Sequence, residues 1–306
     1  MSGQRVEVRI PSHGEQLAAY LYRPDVPGPV PCVVMAHGFS GTRDDALPGY
    51  AEAFCDAGFA VVLFDYRHFG ASTGEPRQLL DIARQQDDYR AVVDWARGAD
   101  GVDPDRIVLW GSSFSGGHVI VVAAGDPRIA AVISQAPYTD SVPVIRRMPP
   151  LNLVRAIVAA VRDRAGAALG RAPVLIPAAG APGTFAAMTE ADALSGFLRM
   201  IPPESLWRNE IAARVMFTLP LFRPVAVAGR LTMPVLFCVC DSDETTPPSS
   251  TVKAAGRAPR GELRRYPYGH FAIYSDPQVK ADQVAFLKRV LAEPDRRSPN
   301  AIRPPS

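Results

Sequence analysis

Gly111-Ser112-Ser113-Phe114-Ser115-Gly116-Gly117 follows an apolar run that ends at Trp110 and precedes a stretch with helical spacing. A strand, a tight turn with serine at its apex and a helix make a nucleophile elbow. The turn lifts the apex hydroxyl off the end of the strand in a strained backbone conformation. Residues two places to either side must be small, because strand and helix nearly touch there. Ser113 meets this condition, with Gly111 before it and Ser115 after it. Ser112 would have Trp110 at minus two, and Ser115 would have Ser113, so Ser113 is the preferred nucleophile. The usual motif carries glycine where this chain has Ser115, which reads as a tolerated departure.

A serine hydroxyl needs a base to attack at neutral pH, and the base needs an acid to orient it. Two later segments offer them in the order Ser, Asp, His. Asp241-Ser242-Asp243-Glu244 follows the apolar run 236–240, and Tyr268-Gly269-His270-Phe271 follows a run that ends near Tyr266. Of the five histidines, His13, His37, His68 and His118 precede the acidic turn or lie inside the helix after the elbow. His270 is therefore the expected base. Asp243, three residues past the strand, is preferred over Asp241 and Glu244 as its orienting acid. An acyl-transfer intermediate also needs backbone N–H groups aimed at its oxyanion. Phe114, next after the nucleophile, would supply one. Phe39, in the loop His37-Gly38-Phe39-Ser40-Gly41 after an apolar strand, would supply the other.

These residues need a scaffold that brings distant segments together. Apolar runs at 6–10 and 17–22, with a turn at Ser12-His13-Gly14, predict two antiparallel strands. Continuous apolar runs at 32–36, 60–64, 107–110 and 129–134 predict strands buried on both faces. Helical spacing at 47–57, 82–97 and 117–124 falls between them. The alternation predicts an α/β fold with a doubly wound, mostly parallel sheet. Catalytic groups of such sheets gather at the carboxyl ends of the strands. The rhythm breaks between 141 and 230, where no buried strand is evident. Helical stretches at 153–164, 186–200 and 205–219 alternate there with Pro149-Pro150, Pro182-Gly183 and Pro202-Pro203. This predicts a helical cap at 141–230, inserted between core segments 1–140 and 231–292. The core resumes with strands at 234–239 and 262–266 and helices at 249–255 and 279–291. A tail at 293–306, rich in Pro and Arg, is expected to fray.

Composition narrows the function. The chain has 306 residues, 33 basic against 31 acidic, and only three of the basic residues are lysine. So even a balance gives no field that would argue for nucleic acid. Apolar runs stay far below the ~20 residues that span a bilayer. No leader is evident at the amino end, and Cys32, Cys55, Cys238 and Cys240 form no paired motif, so a reducing, cytoplasmic setting with free buried thiols is expected. Neither a metal-ligand cluster nor a phosphate loop is recognisable, so no metal or cofactor is expected.

On Ala36-His37-Gly38-Phe39, Asp65-Tyr66-Arg67 with Gly70 and Ser72, the 109–117 elbow, the Asp243 turn and Gly269-His270-Phe271, the chain resembles the α/β-hydrolase superfamily, serine-hydrolase branch. It is similar to bacterial esterases near the dienelactone hydrolases and the X-Pro dipeptidyl-peptidases, and to hydrolases that trim polyketides. The resemblance implies a Ser113-Asp243-His270 triad, no cofactor and an ester-type small-molecule substrate. Cap residues Trp207, Asn209 and Met188 are the candidate substrate contacts, in a pocket for uncharged, medium-sized apolar acyl or aryl groups. The alternative is the same triad applied to a carbon–carbon bond, thioester or amide, or to acyl transfer; a binding protein that kept the fold is the remoter one. A homodimer stays open.

Overall fold

A computed structural model describes residues 3–292, and the tail expected to fray lies outside them. Strands β1 (Gly3–Ser12) and β2 (Glu15–Pro24) form the expected hairpin. Its two loop residues, His13 and Gly14, both take positive φ, 48° and 89°. That is the backbone a two-residue hairpin turn needs. The chain then alternates through β3 (Val30–Ala36), α1 (Pro48–Asp56), β4 (Ala60–Phe64), α2 (Ile82–Arg97), β5 (Val102–Ser112), α3 (Phe114–Gly125) and β6 (Ala131–Gln135).

Eight strands make one sheet in the order β1-β2-β4-β3-β5-β6-β9-β10, completed by β9 (Val235–Cys240) and β10 (Gly261–Tyr266). Strand β2 alone runs against its neighbours; the pairs β4-β3, β3-β5, β5-β6, β6-β9 and β9-β10 are parallel. Successive residues of β3 point to opposite faces. Cys32, Val34 and Ala36 join a cluster with Tyr89 and Val92 of α2 and Val119 of α3. Val33 and Met35 join another with Tyr50 and Phe54 of α1 and Phe286 and Leu287 of α9 (Pro277–Ala292). Both faces are therefore dry, which is why these strands read as unbroken apolar runs. From β3 the chain moves to β4 on one side, then crosses back to β5 on the other. The strand order reverses at β3/β5, and the crevice of such a sheet opens beyond the carboxyl ends of those two strands.

Between β6 and β9 the chain leaves the sheet. It forms α4 (Ser141–Arg147), α5 (Pro150–Ala168), a two-residue ribbon of β7 (Leu175–Ile176) and β8 (Ile211–Ala212), α6 (Ala193–Met200) and α7 (Val215–Thr218). The helices expected at 186–200 and 205–219 are corrected here. Residues 186–192 are irregular, pinned by one bridge at Met188, whose N–H donates to Ala178 O and whose O accepts from Gly180 N–H. Only 193–200 is helical. The second stretch is broken by β8, and just α7 and a 3-10 turn at Leu219–Leu221 remain. The apolar residues that suggested helices are buried from an irregular chain, a distinction periodicity alone does not make. Helix α8 (Pro248–Arg257) follows β9. No helix among the described residues is long and apolar enough to cross a membrane. The four cysteines are buried and unpaired.

Candidate active site

Strand β5 ends at Ser112 and α3 begins at Phe114, leaving Ser113 alone in the turn at φ 56° and ψ −120°. Positive φ is strained for a residue with a Cβ and persists only where its surroundings over-determine it. Here Ser113 N–H donates to Gln135 O at 2.9 Å, and Ser113 O accepts from Tyr138 N–H at 2.8 Å. A Cβ on Gly111 would lie 2.3 Å from Ser115 O, so only glycine fits where strand and helix meet. Ser115 is more than tolerated. Its Oγ lies 3.0 Å from Tyr66 Oη and 2.6 Å from Tyr89 Oη, and Tyr89 donates to Trp110 O at 2.8 Å. The hydroxyl is the middle link of a buried chain that ties α2 and the loop after β4 to the elbow.

The side chains of Ser113, His270 and Asp243 meet at the rim of the sheet. Ser113 Oγ is 2.9 Å from His270 Nε2, and His270 Nδ1 is 2.7 Å from Asp243 Oδ2. Both His270 and Asp243 are buried. Asp243 is also held by Thr246, whose N–H donates to Oδ1 at 2.6 Å and whose hydroxyl donates to Oδ2 at 2.8 Å. Asp241, the competing acid, is exposed and pairs with Arg265 instead. Burial pushes the His270 imidazolium down, but Asp243 overcomes it by charge and hydrogen bond, aided by Asp192 and Glu190, and the pKa is raised. The other buried histidines stay neutral. Desolvation takes His37 to about 4 and His118 to about 3.

Gly38 passes so close to the nucleophile that a Cβ there would sit 3.1 Å from Ser113 Cβ. Phe39 follows in the same loop, its ring edge-on to Phe114 at 5.4 Å. Phe114 opens α3, where first-turn N–H groups have no acceptor within their own helix.

A cavity of about 20 Å³ lies against Ser113 and His270, walled by Leu47, Met188, Phe197, Met200, Phe271 and Tyr274 among others. It holds a water-sized group. Of the residues expected to touch substrate, Met188 is in the wall. Trp207 and Asn209 are not. Trp207 stacks on Phe197 at 5.5 Å. The Asn209 amide is spent on Ala179, accepting its N–H at 2.8 Å and donating to its O at 2.9 Å. Asp45 also lines the cavity, and nothing in its sequence surroundings marked it. Its carboxylate accepts from Ser205 Oγ and Thr42 N–H, both at 2.7 Å, and burial raises its pKa to about 6. Thr246 was missed too, although the spacing Asp243-x-x-Thr246 is that of a side chain capping its own turn. Among the described residues no cluster of His, Cys, Asp and Glu is placed to hold a metal ion.

Comparison with known proteins agrees with this fold. The family model for X-Pro dipeptidyl-peptidase (S15 family) matches residues 13–148. The quorum-quenching protein AidA of Acinetobacter baumannii is 43% identical over 289 residues, 94% of this chain and 95% of its own. A thiohydrolase of Aspergillus aculeatus, aneE, is 36% identical over 54% of this chain and 52% of its own. Among solved structures, the α/β hydrolase GrgF of Penicillium sp. superposes with a TM-score of 0.81 at 25% identity, covering 94% of this chain and 99% of that one.

Proposed function

The chain belongs to the α/β-hydrolase superfamily, and from that premise we propose that it is a serine hydrolase acting on carboxylic esters of small, uncharged substrates. The observation that carries the reading is the run of two short contacts, Ser113 Oγ to His270 Nε2 and His270 Nδ1 to Asp243. His270 takes the Ser113 proton as the hydroxyl attacks the ester carbonyl. Asp243 holds the imidazole with Nδ1–H inward and stabilises the imidazolium that forms. The Phe39 and Phe114 N–H groups receive the oxyanion. His270 then protonates the leaving alcohol, and water enters by the same steps to release the acid. The segment 141–230 serves as a cap whose Met188, Phe197 and Met200 close over the acyl group. Since the cavity admits only a water-sized group, these side chains move for substrate to enter.

Ser113→Ala is expected to lower kcat by about 10³-fold or more at unchanged thermal stability. A fluorophosphonate should label the peptide bearing Ser113 in the native protein and no peptide in the variant. A folded Ser113→Ala protein with native activity would end this reading. A second reading, thioester cleavage or acyl transfer by the same three residues, is favoured by the relatives named thiohydrolase and polyketide transferase. A panel of p-nitrophenyl esters beside a thioester and a β-diketone separates the two. The name of the A. baumannii relative makes quorum signals the first natural compounds to add to it.

A further inference from the structure

Ser112, next to the nucleophile, lies in a buried chain of hydrogen bonds whose direction can be read from one end to the other. Trp110 Nε1–H can only donate, so Gln283 turns Oε1 toward it, 2.8 Å away. The amide is thereby oriented, and Gln283 Nε2 donates to Gln135 Oε1 at 2.7 Å. That places Gln135 Nε2 toward Ser112 Oγ at 3.2 Å. Ser112 accepts from Gln135 and gives its own hydrogen to Tyr274 Oη at 2.7 Å. Turned round, the last link would leave the Ser112 hydrogen without an acceptor at a residue closed to solvent.

The consequence falls on Tyr274. Its oxygen is an acceptor, so its hydrogen must point elsewhere, and no carbonyl or carboxylate among the described residues takes it. Tyr274 is 7% exposed, and it walls the cavity that holds Ser113 and His270. Burial raises the phenol pKa, so the hydrogen is present across the neutral range. The remaining neighbour is the cavity.

We propose that the Tyr274 hydroxyl is a substrate-binding donor, pairing with an acceptor oxygen that the ester carries beyond its own two, so that the site selects oxygen-bearing over purely hydrocarbon groups. The proposal rests on the hydrolase reading above. The rest of the wall is largely apolar, and in such a wall one donor discriminates, because a hydrocarbon bound there leaves it unpaired.

The test uses matched esters that differ by one oxygen in place of a methylene. On the acyl side these are p-nitrophenyl methoxyacetate and butanoate. On the alcohol side they are 2-methoxyethyl and butyl butanoate. In the native protein the kcat/KM ratio of the oxygen-bearing member to its partner should exceed the ratio of their hydroxide-catalysed rates, in at least one pair. Tyr274→Phe should lower that ratio about fivefold, the worth of one neutral hydrogen bond. Ser112→Ala should leave it unchanged. A native ratio no higher than the hydroxide ratio in both pairs overturns the proposal, whether or not the variant folds. So does a Tyr274→Phe ratio equal to the native one, or a Ser112→Ala protein that reproduces the fall, since the effect would then pass through the elbow. Fluorophosphonate labelling at Ser113 keeps the two readings apart. A native protein that fails to label condemns the hydrolase reading, whereas a labelled Tyr274→Phe protein with an unchanged ratio condemns only this one.

Discussion

The two regions of the molecule that meet at the cavity are built by opposite rules. On the sheet side, Ser113, Asp243 and His270 stand at the ends of β5, β9 and β10, and large apolar side chains such as Trp110, Phe64 and Phe237 point inward and are fully buried. On the other side, α5 turns its small and polar residues inward, with Asn152, Ala156, Ala160 and Asp163 buried. Its Leu151, Val154, Ile157, Val158 and Val161 are at least half exposed. The inserted segment adds apolar residues such as Ile176, Phe197, Ile211 and Phe222 to the sheet's core, and specific clips fix it further. Asp163 takes both ends of the Arg214 guanidinium at 2.8 Å along with the N–H groups of Val174 and Arg214. Gln78 donates to Glu210 O, and Gly196 of α6 lies so close to Phe271 that a Cβ would be 2.3 Å from its ring. The sheet side is thus a core of large buried side chains, and the inserted side packs against it with smaller buried residues and polar clips.

Changes on the sheet side should strike rate or global stability, and changes on the inserted side should strike local order or selectivity. The largest effect is expected from Asp243→Asn, a loss of about 10³–10⁴ in kcat with KM little altered, measured on a p-nitrophenyl ester. A drop of less than tenfold would mean that Asp243 does not orient His270. Next is Gly111→Ala, which should destabilise the whole molecule by about 3 kcal/mol or more in denaturant unfolding, because neither the β5 nor the α3 backbone can yield to a Cβ. Asp163→Ala should cost a smaller amount, about 1–3 kcal/mol, and confine it. Proteolysis within 169–214 should accelerate while the core unfolds near its native midpoint; global unfolding at a lower midpoint would erase the distinction between the two regions.

The smallest effect concerns pH. His270 must be neutral to accept the Ser113 proton, so kcat/KM should fall as pH drops through its raised pKa. Asp243, Asp192 and Glu190 all favour the imidazolium, and Glu190 and Asp243 line one groove behind the triad. Glu190→Gln should move the acid limb of the profile to lower pH. A limb that stays put would show that the inserted side leaves the electrostatics of the triad alone.

Legibility followed the same division. Ser113 could be read because an elbow demands small residues at fixed offsets, and Gly111 and Ser115 supply them. Asp243 and His270 could be read because parallel strands deliver their following turns to one rim, whatever the loops between. Asn209 and Trp207 lie outside the cavity wall, which could not be read because a polar or aromatic residue in an irregular segment carries no local sign of where it points. Asn209 proved to bracket Ala179. The helices expected at 186–200 and 205–219 failed for a related reason, since apolar residues at helical intervals can also be buried by an irregular chain clipped at polar points.

What the residues by themselves determined is the alternation that builds the sheet, the strained serine turn, and the order of Ser113, Asp243 and His270 along the chain. These rest on local sterics and on a period of apolar burial, both properties of neighbours along the polypeptide. Tertiary structure alone decided that Thr246 braces Asp243, that Ser115 bridges two tyrosines, that Asp45 enters the cavity wall, and that the hydrogen of Tyr274 is left free. Each depends on which side chain, tens of residues away or only three, lies within 3 Å or so of a polar atom, and hydrogen bonds of that kind leave no periodic trace in a sequence.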